Sequence, residues 1–115
     1  MRPVAIGAGC AVLLLWGGAV GHAQDSTYAR SLAATCFTCH GTDGRSVGGI
    51  PPSLAGQSKP YLLQQMKALR AGERPATIMH QQAKGYTDQE LETLAAYFSS
   101  VKAAPASAAP SSGGY

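Results

Sequence analysis

Cys36-Phe37-Thr38-Cys39-His40 sets two thiols three positions apart, with an imidazole directly after the second. Thiols at that spacing can each add across a vinyl group of a porphyrin, and the adjacent histidine can bind its iron from one face. C-x-x-C-H is the attachment signature of c-type haem. Competing chemistries fit less well. Zinc needs four protein ligands, and beyond residue 23 only Cys36, Cys39, His40 and His80 offer a thiol or an imidazole. A thioredoxin-like dithiol belongs in a βαβ setting, and no strand pattern stands out in this chain. A plain disulfide leaves His40 without a role.

Iron held by His40 has a second axial position. A thioether there closes the site and raises the potential, the arrangement of electron-carrying cytochromes. Met66 and Met79 are the candidates outside the leader. Met66 falls on the Leu62/Met66/Leu69 stripe, where core packing accounts for it. Met79 lies between two helical segments in a stretch expected to be irregular, and it is the expected ligand. His80, next to it, is the rival and would give a bis-His haem. An open sixth position, as in a haem enzyme or gas sensor, is the reading of a different class. A ligating histidine also needs a partner for its other ring N–H, and the carbonyl of Pro52 or Pro51 can supply one. Gln57, Tyr61, Arg70 and Arg74 are candidates to pair with the haem propionates.

The elements that must position these groups are helical. Asp25 or Ser26 can cap a first helix over Tyr28–Thr35 that leads into the Cys36–His40 signature. Residues 41–57 are rich in Gly, Pro and Ser and read as loop. Ser58 can cap a second helix, with Pro60 in its first turn, Leu62, Met66 and Leu69 on one face, and Gly72 as its stop. Thr87-Asp88-Gln89-Glu90 is a capping box flanked by Tyr86 and Leu91 at the staple positions. Leu91, Leu94, Ala95 and Phe98 then mark one apolar face. Three helices joined by long Gly/Pro loops make a poor free-standing bundle but a reasonable wrapping for a flat apolar cofactor.

Both ends differ from this middle. Residues 1–23 read as a secretory signal peptide, with Arg2 ahead of an apolar stretch and cleavage expected after Ala23. That stretch is shorter than the roughly 20 apolar residues of a spanning helix. Cys10 lies within it and lacks a lipobox, because the apolar run follows it. Residues 103–115, almost wholly Ala, Pro, Ser and Gly, read as a flexible tail. The domain between, 24–102, is small enough to need a staple, which a covalent cofactor provides. The chain carries nine Lys/Arg and six Asp/Glu, with no basic run, so nucleic-acid binding has no support.

On these residues the chain resembles the class I cytochromes c over roughly Tyr28–Val101. It shares their order of helix, C-x-x-C-H, Pro52-Ser53-Leu54, middle helix, Met loop and aromatic last helix. Leu54-Ala55-Gly56-Gln57, Tyr61-Leu62 and Arg70-Ala71-Gly72-Glu73-Arg74 are similar to the small bacterial c4/c553-type carriers. The resemblance implies an all-α fold around one covalent haem c. Cys36 and Cys39 would hold it, His40 and Met79 would bind the iron, Pro52 would receive the His40 N–H, and Tyr97 would pack on the N-terminal helix and haem. Ala76-Thr77-Ile78-Met79, Ala83-Lys84-Gly85-Tyr86-Thr87 and Ala95-Ala96-Tyr97-Phe98 further resemble the haem subunit of flavocytochrome c sulfide dehydrogenase. The resemblance implies a flavoprotein partner and an external electron acceptor, outside the cytoplasm. The familiar subunit of that family has two haem domains, whereas this chain shows one C-x-x-C-H. A free-standing soluble carrier is the alternative.

Overall fold

A computed structural model describes residues 20–103, with side chains from Asp25 onward. The expected signal segment and tail lie outside the described residues, apart from the four residues that open the first helix and Ala103. Four α-helices follow in order: α1 (Val20–His40), α2 (Lys59–Ala71), α3 (Met79–Lys84) and α4 (Asp88–Ser100). A short 3-10 turn, Thr42–Gly44, sits between α1 and α2, and no strand occurs among the described residues.

Two helices differ from expectation. The first does not stop at Thr35 but carries the whole C-x-x-C-H signature in its last turns, because nothing before Gly41 breaks a helix. Neither Asp25 nor Ser26 is a cap, since both lie inside it. The stretch expected to be irregular between α2 and α4 contains the six-residue α3, so the helices number four and not three. Six residues are too few for an apolar period to show. Ile78 stands at the N-cap without a side-chain cap bond. Packing against α2 holds α3 in place, with Ala83 fully buried.

α2 starts at Ser58 as expected, but through the backbone alone: its hydroxyl makes no cap bond, and its carbonyl accepts the Leu62 N–H at 3.0 Å. Pro60 takes the first turn and Gly72 closes the helix. α4 has the full capping box. The Glu90 N–H donates to Thr87 Oγ1 at 3.2 Å, and the Thr87 N–H donates to Glu90 Oε2 at 2.8 Å. This frees α4 from dependence on its neighbours for its first turn.

The core gathers Ala33 of α1, Leu62 of α2 and Leu91, Leu94, Ala95 and Phe98 of α4, with Cys36, Phe37, Met66, Tyr86 and Tyr97 packed around it. α1 and α4 meet through aromatic rings. Phe37 lies 6.2 Å from Tyr97 and 6.3 Å, edge to face, from Phe98, separations at which such pairs attract. The helix bearing the two thiols is thereby fixed against the C-terminal helix.

Candidate functional site

Because α1 runs through His40, Cys36 and His40 stand four positions apart and share a helix face, with Cys39 one turn from Cys36. Both thiols are free. Burial pushes the Cys36 thiol up, and the Thr35 hydroxyl only partly opposes this. A neutral thiol packed on the core is unlike the low-pKa thiolate of a redox dithiol. Among the described residues no group of three or more His, Cys, Asp and Glu can hold a metal ion.

His40 is 8% exposed, the one buried polar residue of the described core. Its Nδ1 lies 2.7 Å from the carbonyl oxygen of Pro52. A carbonyl only accepts, so Nδ1 carries the proton and Nε2 keeps its lone pair for a metal. Pro51 makes no such bond to it.

The segment that delivers this carbonyl is templated by the turn following α1. Gly41 ends the helix at φ 80°, with its N–H on Phe37 O at 3.0 Å. A Cβ at Gly41 would lie 2.0 Å from Arg45 O, so no other residue fits. The Gly44 carbonyl then accepts both Leu54 N–H, at 2.8 Å, and Ala55 N–H, at 3.1 Å. Ser46 N–H donates to Ser53 Oγ at 2.9 Å. Pro52 is thus carried on a strip zipped to the 41–46 turn.

Asp43, within that turn, was not singled out from the sequence. It receives the Tyr97 hydroxyl proton at 2.6 Å and ion-pairs with Arg30 at 3.3 Å and Arg45 at 3.5 Å. The Tyr97 hydroxyl and the two guanidiniums hold its carboxyl below the usual carboxylate range. Burial, joined by the Asp43 bond and charge, pushes Tyr97 up to about 12. A second unforeseen bond joins Thr35 Oγ1 to Tyr86 Oη at 2.6 Å, tying α1 to the approach to α4. Gly41 and Gly44 around Asp43 did signal a turn, but its Tyr97 partner lies too far along the chain for any local pattern to show.

On the other side, Met79 is half-buried and opens α3. Met66 packs on the core from α2. His80 directs Nε2 at Arg74 O, 2.6 Å away. Arg70 is occupied by Tyr86 O, at 3.2 Å, and by Asp88, and Gln57 donates to Ser53 O at 2.7 Å. Neither is a free propionate partner, whereas Tyr61 is exposed. Ile50 and Ile78, close in sequence to Pro52 and Met79, are also exposed, Ile50 at 90%.

Residues 28–102 match the family model described as Cytochrome c. The chain belongs to the cytochrome c family. It is 41% identical over 81 residues to cytochrome c-554(548) of Halomonas halodenitrificans, covering 68% of this chain and 98% of that protein. Over 67 residues it is 40% identical to the cytochrome subunit of sulfide dehydrogenase of Chlorobaculum tepidum, covering 58% of this chain and 60% of the subunit. The reduced recombinant cytochrome c4 of Pseudomonas stutzeri superposes with a TM-score of 0.62 at 36% identity, over 69% of this chain and 46% of that one. The chain therefore spans nearly all of the Halomonas protein but about half of the c4 structure.

The fold is that of a class I cytochrome c, and electron transfer through covalently bound haem c is the chemistry its family implies. The residues fit that group: two free thiols and a buried imidazole on one helix face, with Nδ1 already engaged. No helix among the described residues is long and apolar enough to cross a membrane.

Proposed function

We propose that this chain is an exported single-haem electron carrier, with Cys36 and Cys39 as the thioether attachments and His40 and Met79 as the axial ligands. The observation that carries the reading is the 2.7 Å approach of His40 Nδ1 to Pro52 O, which fixes the tautomer and raises the basicity of Nε2. Bound haem c supplies a one-electron ferric/ferrous couple. The chain's own residues orient the ligating imidazole and, through Phe37, Tyr97 and Phe98, keep the attachment helix seated. His80 is the rival second ligand; with its Nε2 on Arg74 O, only Nδ1 is left to face a metal. With both axial positions filled, the chain turns over no substrate of its own.

The donor we propose is a flavoprotein that oxidises sulfide, the chain acting as its haem subunit and passing electrons to an external acceptor. Support comes from the likeness to the Chlorobaculum subunit. The exposed Ile50 and Ile78 beside two site residues suit a partner that docks there. A free-standing carrier is the second reading, favoured by the near-complete coverage of cytochrome c-554(548). Purification of the native protein separates them. A bound flavoprotein that reduces the haem on sulfide addition supports the first, and an isolated chain reduced only by diffusing donors supports the second.

A further inference from the structure

Asp43 sits at φ 53° and ψ 26°, a left-handed conformation that costs most side chains and that Asp and Asn adopt most readily. Contacts from the surrounding structure select that conformation. Tyr97 of α4 donates to Oδ1 at 2.6 Å, Arg30 of α1 reaches the same oxygen at 3.3 Å, and Arg45 reaches Oδ2 at 3.5 Å. Each partner is itself tied. The Tyr97 ring packs on Phe37 and Phe98. Arg30 lies over the Phe37 ring at 5.6 Å, and Arg45 Nε donates to Lys102 O at 3.0 Å. An exposed ion pair alone contributes little, so the half-buried Tyr97, its ring packed on Phe37 and Phe98, is the part of this clamp that matters most.

The clamp leads to the ligand. Asp43 is followed by Gly44, whose carbonyl takes the N–H groups of Leu54 and Ala55. Those bonds fix the strip whose Pro52 carbonyl meets His40 Nδ1. We propose that Asp43 is a positioning residue for His40: by anchoring the 42–44 turn to Tyr97, it sets the strength of the Pro52–His40 hydrogen bond and so the basicity of the imidazole. The inference rests on His40 being the proximal ligand. Losing the clamp lets the turn relax, lengthens the Nδ1–H···O bond, weakens donation to ferric iron and favours the ferrous form.

The test compares Asp43→Ala, Asp43→Asn and Tyr97→Phe in the haem-loaded protein labelled with 15N-histidine. Asparagine tolerates the left-handed backbone and can still accept from Tyr97, but lacks the charge. Mutating the direct outer partner of a ligating histidine costs about 10–100-fold in metal affinity or activity, so Asp43→Ala, one step further out, should shift the reduction equilibrium toward ferrous by up to about tenfold, about 59 mV for one electron. It should also speed exchange of the His40 Nδ1–H. Tyr97→Phe should move both readouts in the same direction, and Asp43→Asn should stay near wild type. Equal potentials for Asp43→Ala and Asp43→Asn, with Tyr97→Phe unchanged, would mean that charge alone acts and would overturn positioning. Lower stability in all three with both readouts unmoved would overturn it too. If Asp43→Ala does not fold, the other two variants decide, because only positioning shifts Tyr97→Phe and spares Asp43→Asn. Failure of the underlying reading shows in the unmutated protein, as a wild-type spectrum with no iron-bound His40 ring, and takes this proposal with it.

Discussion

The two sides of the candidate site are built differently. On the His40 side, the candidate ligand ends a long helix, one ring nitrogen is engaged, and the turn behind it is pinned by Asp43, Gly44 and two aromatic helices. On the Met79 side, the candidate ligand opens a six-residue helix with no side-chain cap, tied through packing on α2, the His80–Arg74 bond and, just beyond its end, the Arg70–Tyr86 bond. One side is over-determined and the other is held mainly by packing. Such an arrangement keeps the attachment face fixed while leaving the opposite ligand as the one that can exchange or be tuned.

The largest effect tests the attachment itself. Replacing both Cys36 and Cys39 by Ala should abolish covalent haem, read as the loss of the macrocycle from the mass of the denatured protein. Retention of bound mass would break the assignment of the rigid side. Next comes Met79→Ala, which should open the sixth position, let carbon monoxide bind the reduced protein, and lower the potential. Axial ligands govern roughly 0.8 V of haem potential, so a fall on the order of 0.1 V is expected. An unchanged spectrum and potential would move the ligand to His80 or Met66.

Gly44→Ala probes the rigid side by packing. A Cβ there would fall 2.7 Å from Phe98 Cδ1, in a backbone at φ 76°. Overpacking of this kind costs about 2 kcal/mol, a drop in Tm of roughly 10 °C for a domain this small. A substitution without effect would mean that the turn yields more easily than its contacts suggest. Hydrogen exchange sharpens the contrast without mutation. Amides of α3 should open locally, at free energies below global unfolding, while those of Phe37–Gly41 and Leu54–Ala55 should exchange only with it. Equal protection on both sides would erase the difference.

What the sequence made legible follows the range of each interaction. The Thr87–Glu90 capping box and the Leu91/Leu94/Ala95/Phe98 face are local patterns, and each appears where it was expected. α3 was missed because tertiary packing, not a cap or a period, makes it helical. The length of α1 was underestimated because a motif read for its chemistry was not also read as helix. Asp43 and the Tyr86–Thr35 bond escaped for a different reason. Tyr97 lies 54 residues from Asp43, and Thr35 lies 51 from Tyr86, a distance that only the folded chain closes. Arg70 shows the converse: a cation suited to a propionate also pairs, across the fold, with Asp88 at the start of α4.

The smallest effect is a pH window. Tyr97 is pushed up to about 12, against an ordinary tyrosine value of about 10. A group with a raised folded pKa stabilises the fold fully below its unfolded pKa and loses that contribution as pH climbs through the folded one. The Tyr97 contribution should therefore be intact at neutral pH and decline between about 10 and 12. The neighbouring Asp43 behaves oppositely. Held below its ordinary value, it stabilises above the unfolded carboxylate pKa and is lost as pH falls through the folded one. Tyr97→Phe should flatten the alkaline decline relative to wild type in denaturant titrations at several pH values. The acidic decline should also shrink, since the hydroxyl is the leading cause of the Asp43 depression. A variant that flattened only the alkaline limb would show that Arg30 and Arg45 suffice to hold the carboxylate. The rigidity of the His40 side would then rest on charge, and high salt would soften it.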